Sequence, residues 1–344
     1  EILKSLGSFA ANPREATIPS PHKDTFGWIW TEEKHNFVTW LEKDHHGVYW
    51  ITGQPGSGKS TLMKFIVKDE RTQQCLATEA GDLAHKLLCY YFHEMSELPT
   101  KQERILDGLL HYILYQLLGS FPNLQRKISN LFTQKVLPRC QGTWGNLTSP
   151  WSLEHLKDAL MQISEQNYVH GKICLFVDGF DECEGSGQAL GFVLSWLGKI
   201  QASGIKVKIC IASRYTHDIM ESLKTSLQRP SLKLHEWTRE DIQKYVQDHL
   251  NDAVGRSISL SSKSRKIVGN QLVSNIVGKA EGVFIWVKLV VADLESGLEE
   301  CQEESQLQSR LEALPPELKD LYDHIISEIP TRDLHAVFKY FQLL

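Results

Sequence analysis

The sequence predicts an α/β fold, a parallel sheet flanked by helices and followed by an α-helical domain, and three observations carry that prediction. Short apolar runs rich in β-branched and aromatic residues at 48–52, 87–92, 173–177, 207–212 and 232–234 alternate with helix-like segments. A glycine-rich loop, Gly53-Gln54-Pro55-Gly56-Ser57-Gly58-Lys59-Ser60, joins the first run to a stretch of helical spacing. Beyond Trp237 the strand signals stop, and the rest of the chain reads as helix.

In chain order, the first 25 or so residues carry Pro13, Pro19 and Pro21 among small polar residues, which predicts an extended strap. Phe26, Trp28, Ile29, Trp30, Phe37, Val38, Trp40 and Leu41 then form an aromatic run dense enough to dock. Apolar positions recurring at three and four predict helices over 60–67, 105–118, 153–163 and 190–200, which cover the two sheet faces. Thr238 with Asp241 three residues later opens a helix over 238–250, and further helices are expected at 262–277, 283–294, 306–311, 317–328 and 333–341. The organisation expected is a strap and linker helix at 1–45, a nucleotide-binding domain at 46–236, a helical domain at 237–312 and the truncated start of a further domain at 313–344.

Composition bounds the function. The 344 residues, 42% hydrophobic and 23% charged, suit two or three ordinary globular domains. A net charge of −5 supplies no overall basic field, so neither nucleic acid nor an anionic membrane is an expected partner. The apolar stretch at 283–292 is half the ~20 residues a membrane helix needs and contains Lys288. Seven cysteines (Cys75, Cys89, Cys140, Cys174, Cys183, Cys210 and Cys301) show no CxxC or zinc spacing and are read as structural, in a reducing, cytoplasmic setting. No secretory leader opens the chain, which starts at Glu1 and reads as an excised fragment; the triplet Asn146-Leu147-Thr148 is read as a chance glycosylation match.

The loop carries the strongest chemistry. Gly53, Gly56 and Gly58 let a backbone fold around phosphate oxygens with its N–H groups inward, and the helix that follows brings partial positive charge. Pro55 and Ser57 complete the loop. Lys59 is placed to span the β- and γ-phosphates, Ser60 to hold Mg²⁺, and Thr61 to support the α-phosphate. The run ending in Asp178 delivers a carboxylate to the sheet edge where ligands sit, suited to holding Mg²⁺ through water. Asp181 and Glu182 follow in Gly179-Phe180-Asp181-Glu182, and either is placed to orient or deprotonate water. Arg214, ending the run at 209–213, offers a planar fork to the γ-phosphate. The chain has no Asn-Lys-x-Asp tetrad after Asp178, so the expected ligand is ATP or ADP, with GTP left open. Ile18, Thr25, Phe26 and Trp28 are either a cover for adenine or plain core.

With those motifs in hand, the sequence resembles the NACHT family of signal-transduction P-loop NTPases, within the STAND class, and in particular fungal members related to heterokaryon-incompatibility proteins. The resemblance is carried by Gly53 to Ser60, by Asp178-Gly179-Phe180-Asp181-Glu182 and by Ser213-Arg214, in that order. Ile2 to Trp30, Trp237-Thr238 to Tyr245, and Lys279 to Val287 are similar as well. It implies a P-loop sheet, a helical domain and the start of a winged-helix domain. It also implies an NLR-like switch that hydrolyses ATP slowly, self-associates in the ATP state and activates effector domains outside this chain. In related nucleotide-binding switches a Gly-x-Pro turn of the helical domain touches adenine, and Gly282-Val283-Phe284 stands in a similar place without the proline. Two other readings stand beside it: a P-loop enzyme with steady turnover such as a small-molecule kinase, and a scaffold that binds nucleotide without hydrolysis.

Overall fold

A computed structural model describes residues 1–7, 14–31, 33–42, 47–77, 85–92, 101–140, 149–165, 171–182, 185–200, 205–224, 230–256, 262–299 and 304–327. Five parallel strands form one sheet: β1 (Gly47–Thr52), β2 (His85–Tyr91), β3 (Gly171–Asp178), β4 (Ile205–Ser213) and β5 (Ser231–Lys233), in the spatial order β2-β3-β4-β1-β5. Ile173 to Val177 of β3 and Val207 to Ala212 of β4 are buried at every position, Lys208 included at 8% exposed. Continuous apolar runs of this kind are what a parallel sheet covered on both faces requires. The expected strands fall within a residue or two of those observed.

The chain departs from β1 to β2 at the far side of the sheet and returns through β3 and β4. Register places Ile51 of β1 opposite Ala212 of β4, and Ala212 opposite Asp178 of β3. Three strand ends therefore finish level, at the edge where open α/β sheets present ligand-binding groups.

The described residues divide into two compact units. The first holds the sheet, with Glu1–Gln54 and Lys59–Lys233, and its core runs from Leu6 through the helix Lys101–Ser120 to Trp196 and Ile211. The second comprises Pro55–Gly58 and the chain from Leu234 on. Its core is built by the helices Arg239–Arg256, Ser262–Lys279, Phe284–Glu299, Glu304–Ala313 and Leu318–Ser327 around Ile276, Trp286, Val290 and Leu311. There Arg310 grips Asp293 with two bonds of 2.8 Å, and the Trp286 indole N–H donates to the Pro315 carbonyl at 2.8 Å.

The N-terminal segment differs from the extended strap expected of it. Ile2–Gly7 is a helix, with Leu6 fully buried in the core of the first unit and Ser5 accepting from the Trp151 indole at 2.9 Å. Ile2, Leu3 and Leu6 share one helical face, and the prolines that suggested an extended chain fall after it. The segment 122–140, which carried no assignment from sequence, forms successive short helical turns that bury Leu124, Ile128, Phe132 and Val136. Its π-helical turn Phe132–Val136 stops just before Pro138, which supplies no amide donor. Cys75, Cys89, Cys140, Cys174 and Cys210 are thiols. Cys183, Cys301, the Asn146 triplet and the helix expected at 333–341 lie outside the described residues.

Candidate functional site

The loop after β1 takes the backbone form its glycines permit. Gly56 and Gly58 have φ of +73° and +96°, a region open to glycine and strained for other residues. Within the second unit, the Gly56 carbonyl accepts from the Ile285 N–H at 3.0 Å, and a Cβ on Gly56 would lie 2.2 Å from Ile285 Cγ2. Gly56→Ala is therefore expected to destabilise the fold by about 1–3 kcal/mol, read as a lowered melting midpoint without nucleotide. An unchanged midpoint would show that the loop relaxes freely. Ser57 is fully buried, and its hydroxyl has no hydrogen-bond partner among the described residues.

Lys59 opens the helix Lys59–Lys68, and its Nζ donates to the carbonyls of Gly53 and Gln54 at 2.7 and 2.9 Å. Burial lowers its pKa; Asp181 and Asp178 oppose that shift, Arg214 adds to it, and Glu182 opposes it least. Ser60 and Thr61 follow in the first turn, half-buried.

Asp178, at the tip of β3, is 1% exposed, and neither carboxylate oxygen has a hydrogen-bond partner among the described residues. Burial pushes its pKa up to about 6. The Ser60 hydroxyl, close enough to favour the charged form without completing a well-aligned bond, pulls the other way, as do Arg14 and Lys59, while Glu182 adds to the rise. A hard oxygen donor desolvated in this way, beside a second oxygen donor on Ser60, fits a Mg²⁺ site. Among the described residues no group of three His, Cys, Asp or Glu side chains is placed to hold a metal ion.

The two acids that follow are held by different arginines. Asp181, with its side chain 8% exposed, accepts from the Arg214 backbone N–H at 2.9 Å and pairs with Arg214 Nε at 3.2 Å. Glu182 pairs through Oε2 with Arg14 Nη1 at 2.6 Å, and the same Nη1 also donates to the Phe92 carbonyl at the end of β2. Gly179, at φ +75°, permits the fold-back: a Cβ there would sit 3.3 Å from both Cδ and Oε1 of Glu182. Burial works against the Arg14 charge, but the bond and field of Glu182, together with Asp178 and Asp181, more than offset it and raise its pKa.

In the first unit, Asp178, Asp181, Glu182 and Arg214 thus all lie within electrostatic range of Lys59. Arg14 was not legible as a site residue, since it belongs to no motif and meets Glu182 across 168 positions of sequence. Of the strap residues, Phe26 is 3% exposed and packs on Phe65 at 5.9 Å and Trp28 at 6.3 Å, and Thr25 donates to the His22 carbonyl. Ile18 is likewise buried. In the second unit the Gly282 carbonyl accepts from the Thr238 hydroxyl at 3.4 Å.

A parallel five-stranded sheet, a GxxxxGKS loop opening a helix from its first-numbered strand, and an acid at the tip of a nearby strand define a P-loop NTPase fold. Residues 24–214 match the family described as Nephrocystin 3, N-terminal, and the chain belongs to that family. The vegetative incompatibility protein HET-E-1 of Podospora anserina is 22% identical over 308 residues, which is 89% of this chain and 20% of that protein. The chain therefore spans about a fifth of its relative's length. The NACHT resemblance read from the motifs is borne out: this is a NACHT-type P-loop NTPase distantly related to HET-E-1.

Among solved structures, the chain is similar to the Aeropyrum pernix ORC1 protein, solved in complex with DNA, at 12% identity and a TM-score of 0.42 over 88% of this chain and 72% of that one. The Aeropyrum pernix ORC2 protein, in ADPNP-ADP complexes, is also 12% identical, with a TM-score of 0.33 over 94% and 87%. No helix among the described residues is long and apolar enough to cross a membrane.

Proposed function

We propose that the chain is an ATP/ADP-binding signal-transduction switch whose slow, Mg²⁺-dependent hydrolysis controls oligomerisation and effector activation in NLR-like fungal immunity or incompatibility. The observation that carries this reading is Asp178: a buried carboxylate with no partner among the described residues, level with the strand that leads into the phosphate loop. Keeping such a group has a cost in stability that a bound cation and its waters would offset.

In this reading the loop amides from Gly53 to Gly58 enclose the polyphosphate, Lys59 leaves its carbonyl partners for the β- and γ-phosphates, and Thr61 meets the α-phosphate. Ser60 and Asp178 would hold Mg²⁺, Asp178 through water, and the ion would supply neutralisation of phosphate charge. Asp181 positions Arg214, whose exposed guanidinium reaches the γ-phosphate, and Glu182 takes the proton of the attacking water. Residues 237–312 serve as the helical domain and 313–344 as the start of a winged-helix domain. To invert a 99:1 preference for the closed form, ATP must favour the open one by about 5.5 kcal/mol relative to ADP.

Glu182→Gln is expected to slow turnover by roughly tenfold to a hundredfold while nucleotide affinity stays within about threefold, since general bases contribute to the chemical step. Parallel loss of affinity and turnover would reassign Glu182 to binding. Light scattering of the protein with ADP and then with a non-hydrolysable ATP analogue tests the switch. Unchanged mass and shape in the full-length protein would overturn it.

A further inference from the structure

The contact that the phosphate-loop mechanism does not use is the one between Arg14 and Glu182. A carboxylate that activates water needs an oxygen turned toward that water. Here Oε2 is engaged by the Arg14 guanidinium at 2.6 Å, and the carboxylate is folded against Gly179, where a Cβ would lie 3.3 Å from Oε1. The same Arg14 nitrogen holds the Phe92 carbonyl, so strap, β2 and the acid cluster meet at one donor. The Arg14 and Glu182 side chains are 23% and 24% exposed, which makes the pair charge-assisted yet reachable.

The neighbouring acid sets the comparison. Asp181 is closed over by both the backbone and the side chain of Arg214, from the adjacent strand, as expected of a fixed positioning group. Glu182 is held instead by a residue of the short helix Arg14–Thr17, outside the sheet. That helix is itself anchored by the neighbouring helix: Lys64 Nζ donates to the Glu15 carbonyl at 3.1 Å and to the Ile18 carbonyl, and Lys68 pairs with Glu15 at 3.6 Å. A hold from outside the sheet can be released without disturbing the sheet.

We propose that Arg14 is a latch on Glu182: in the latched form the carboxylate is turned from the attacking water, and displacement of the strap around Arg14 frees it for hydrolysis. This rests on the reading of Glu182 as the hydrolytic acid and adds to it the element that governs its availability. Arg14 acts through Glu182 and is a positioning residue.

The test compares wild type, Arg14→Gln and Arg14→Lys, each also in the Glu182→Gln background, measuring Mg·ATP turnover and equilibrium binding of a fluorescent ATP analogue. The expected result is a rise in kcat of roughly threefold to tenfold in Arg14→Gln, the scale of losing one part-exposed charge-assisted contact, with nucleotide affinity unchanged. Arg14→Lys, which keeps the charge without the fork, should fall between. The gain should vanish when Glu182 is glutamine. Turnover that stays level or falls in Arg14→Gln, no turnover in any of the proteins, or a gain that survives in the Glu182→Gln background overturns the latch. Should Arg14→Gln melt early, Arg14→Lys decides alone by the same criteria. Failure of the underlying switch reading is distinguishable, because it shows as unchanged light scattering between ADP and the ATP analogue, and failure of Glu182 as the hydrolytic acid shows as undiminished turnover in Glu182→Gln alone.

Discussion

Lys59→Ala is expected to weaken ATP and ADP binding by roughly 2–5 kcal/mol, about 30-fold to several-thousandfold, as truncation of one partner of a desolvated charge contact does. The ammonium is half-buried and held at 2.7 and 2.9 Å by the loop's own carbonyls. Burial lowers its pKa against the opposing pull of Asp181 and Asp178, which marks it as a cation surrounded by a built electrostatic environment. Isothermal titration with each nucleotide gives the affinity, and a melt without nucleotide separates lost binding from lost folding. Equal affinity in wild type and variant would remove the phosphate loop from the mechanism.

Asp178→Asn is expected to have opposite effects on stability and on function. In the folded chain Asp178 has its pKa raised from 3.8 to about 6, by burial first, with Ser60, Arg14 and Lys59 restraining the rise. The sign follows from proton binding. Between the two values the folded state holds the proton more tightly than the unfolded state, so Asp178 makes the protein less stable as pH rises from about 4 to about 6, and the deficit then stays constant. A difference of about two pH units corresponds to about 3 kcal/mol. Asparagine removes the charge but keeps a buried polar group, so a net gain of about 1–2 kcal/mol at pH 7.5 is expected. Melting curves from pH 4 to 8 should show the wild type falling relative to the variant between pH 4 and 6, and Mg²⁺ should no longer strengthen nucleotide binding in the variant. Parallel pH curves for the two proteins would rule out this origin of the effect.

Much of the architecture was legible in the sequence because its determinants are local. The strands carry continuous apolar runs, and the loop carries glycines whose backbone angles no other residue adopts easily. The acids and Arg214 could be expected at one edge because Asp178 ends β3, Asp181 and Glu182 lie in the turn after it, and Arg214 follows the end of β4. What could not be read were the pairings. Nothing near Arg14 announces Glu182, and nothing in Asp181-Glu182 tells which acid Arg214 takes; the first depends on where the helix Arg14–Thr17 docks, the second on β4 lying beside β3. The helix Ile2–Gly7 was hidden by the prolines downstream, and the turns at 122–140 by Pro122 and Pro138, which break up a single helical period.

One contact bears on where this protein can be cut. Lys208, in the middle of the sheet, sends its Nζ to the carbonyls of Trp40 and Leu41 at 2.7 and 2.6 Å, over the Trp40 ring at 5.6 Å. Those carbonyls close the helix Phe37–Glu42, which precedes the first strand. A shortened version beginning at Gly47 would remove both of these carbonyl acceptors from a side chain that is 8% exposed, and would shed Arg14 with them. Anyone trimming the chain to its sheet for biochemistry should therefore keep the preceding forty or so residues.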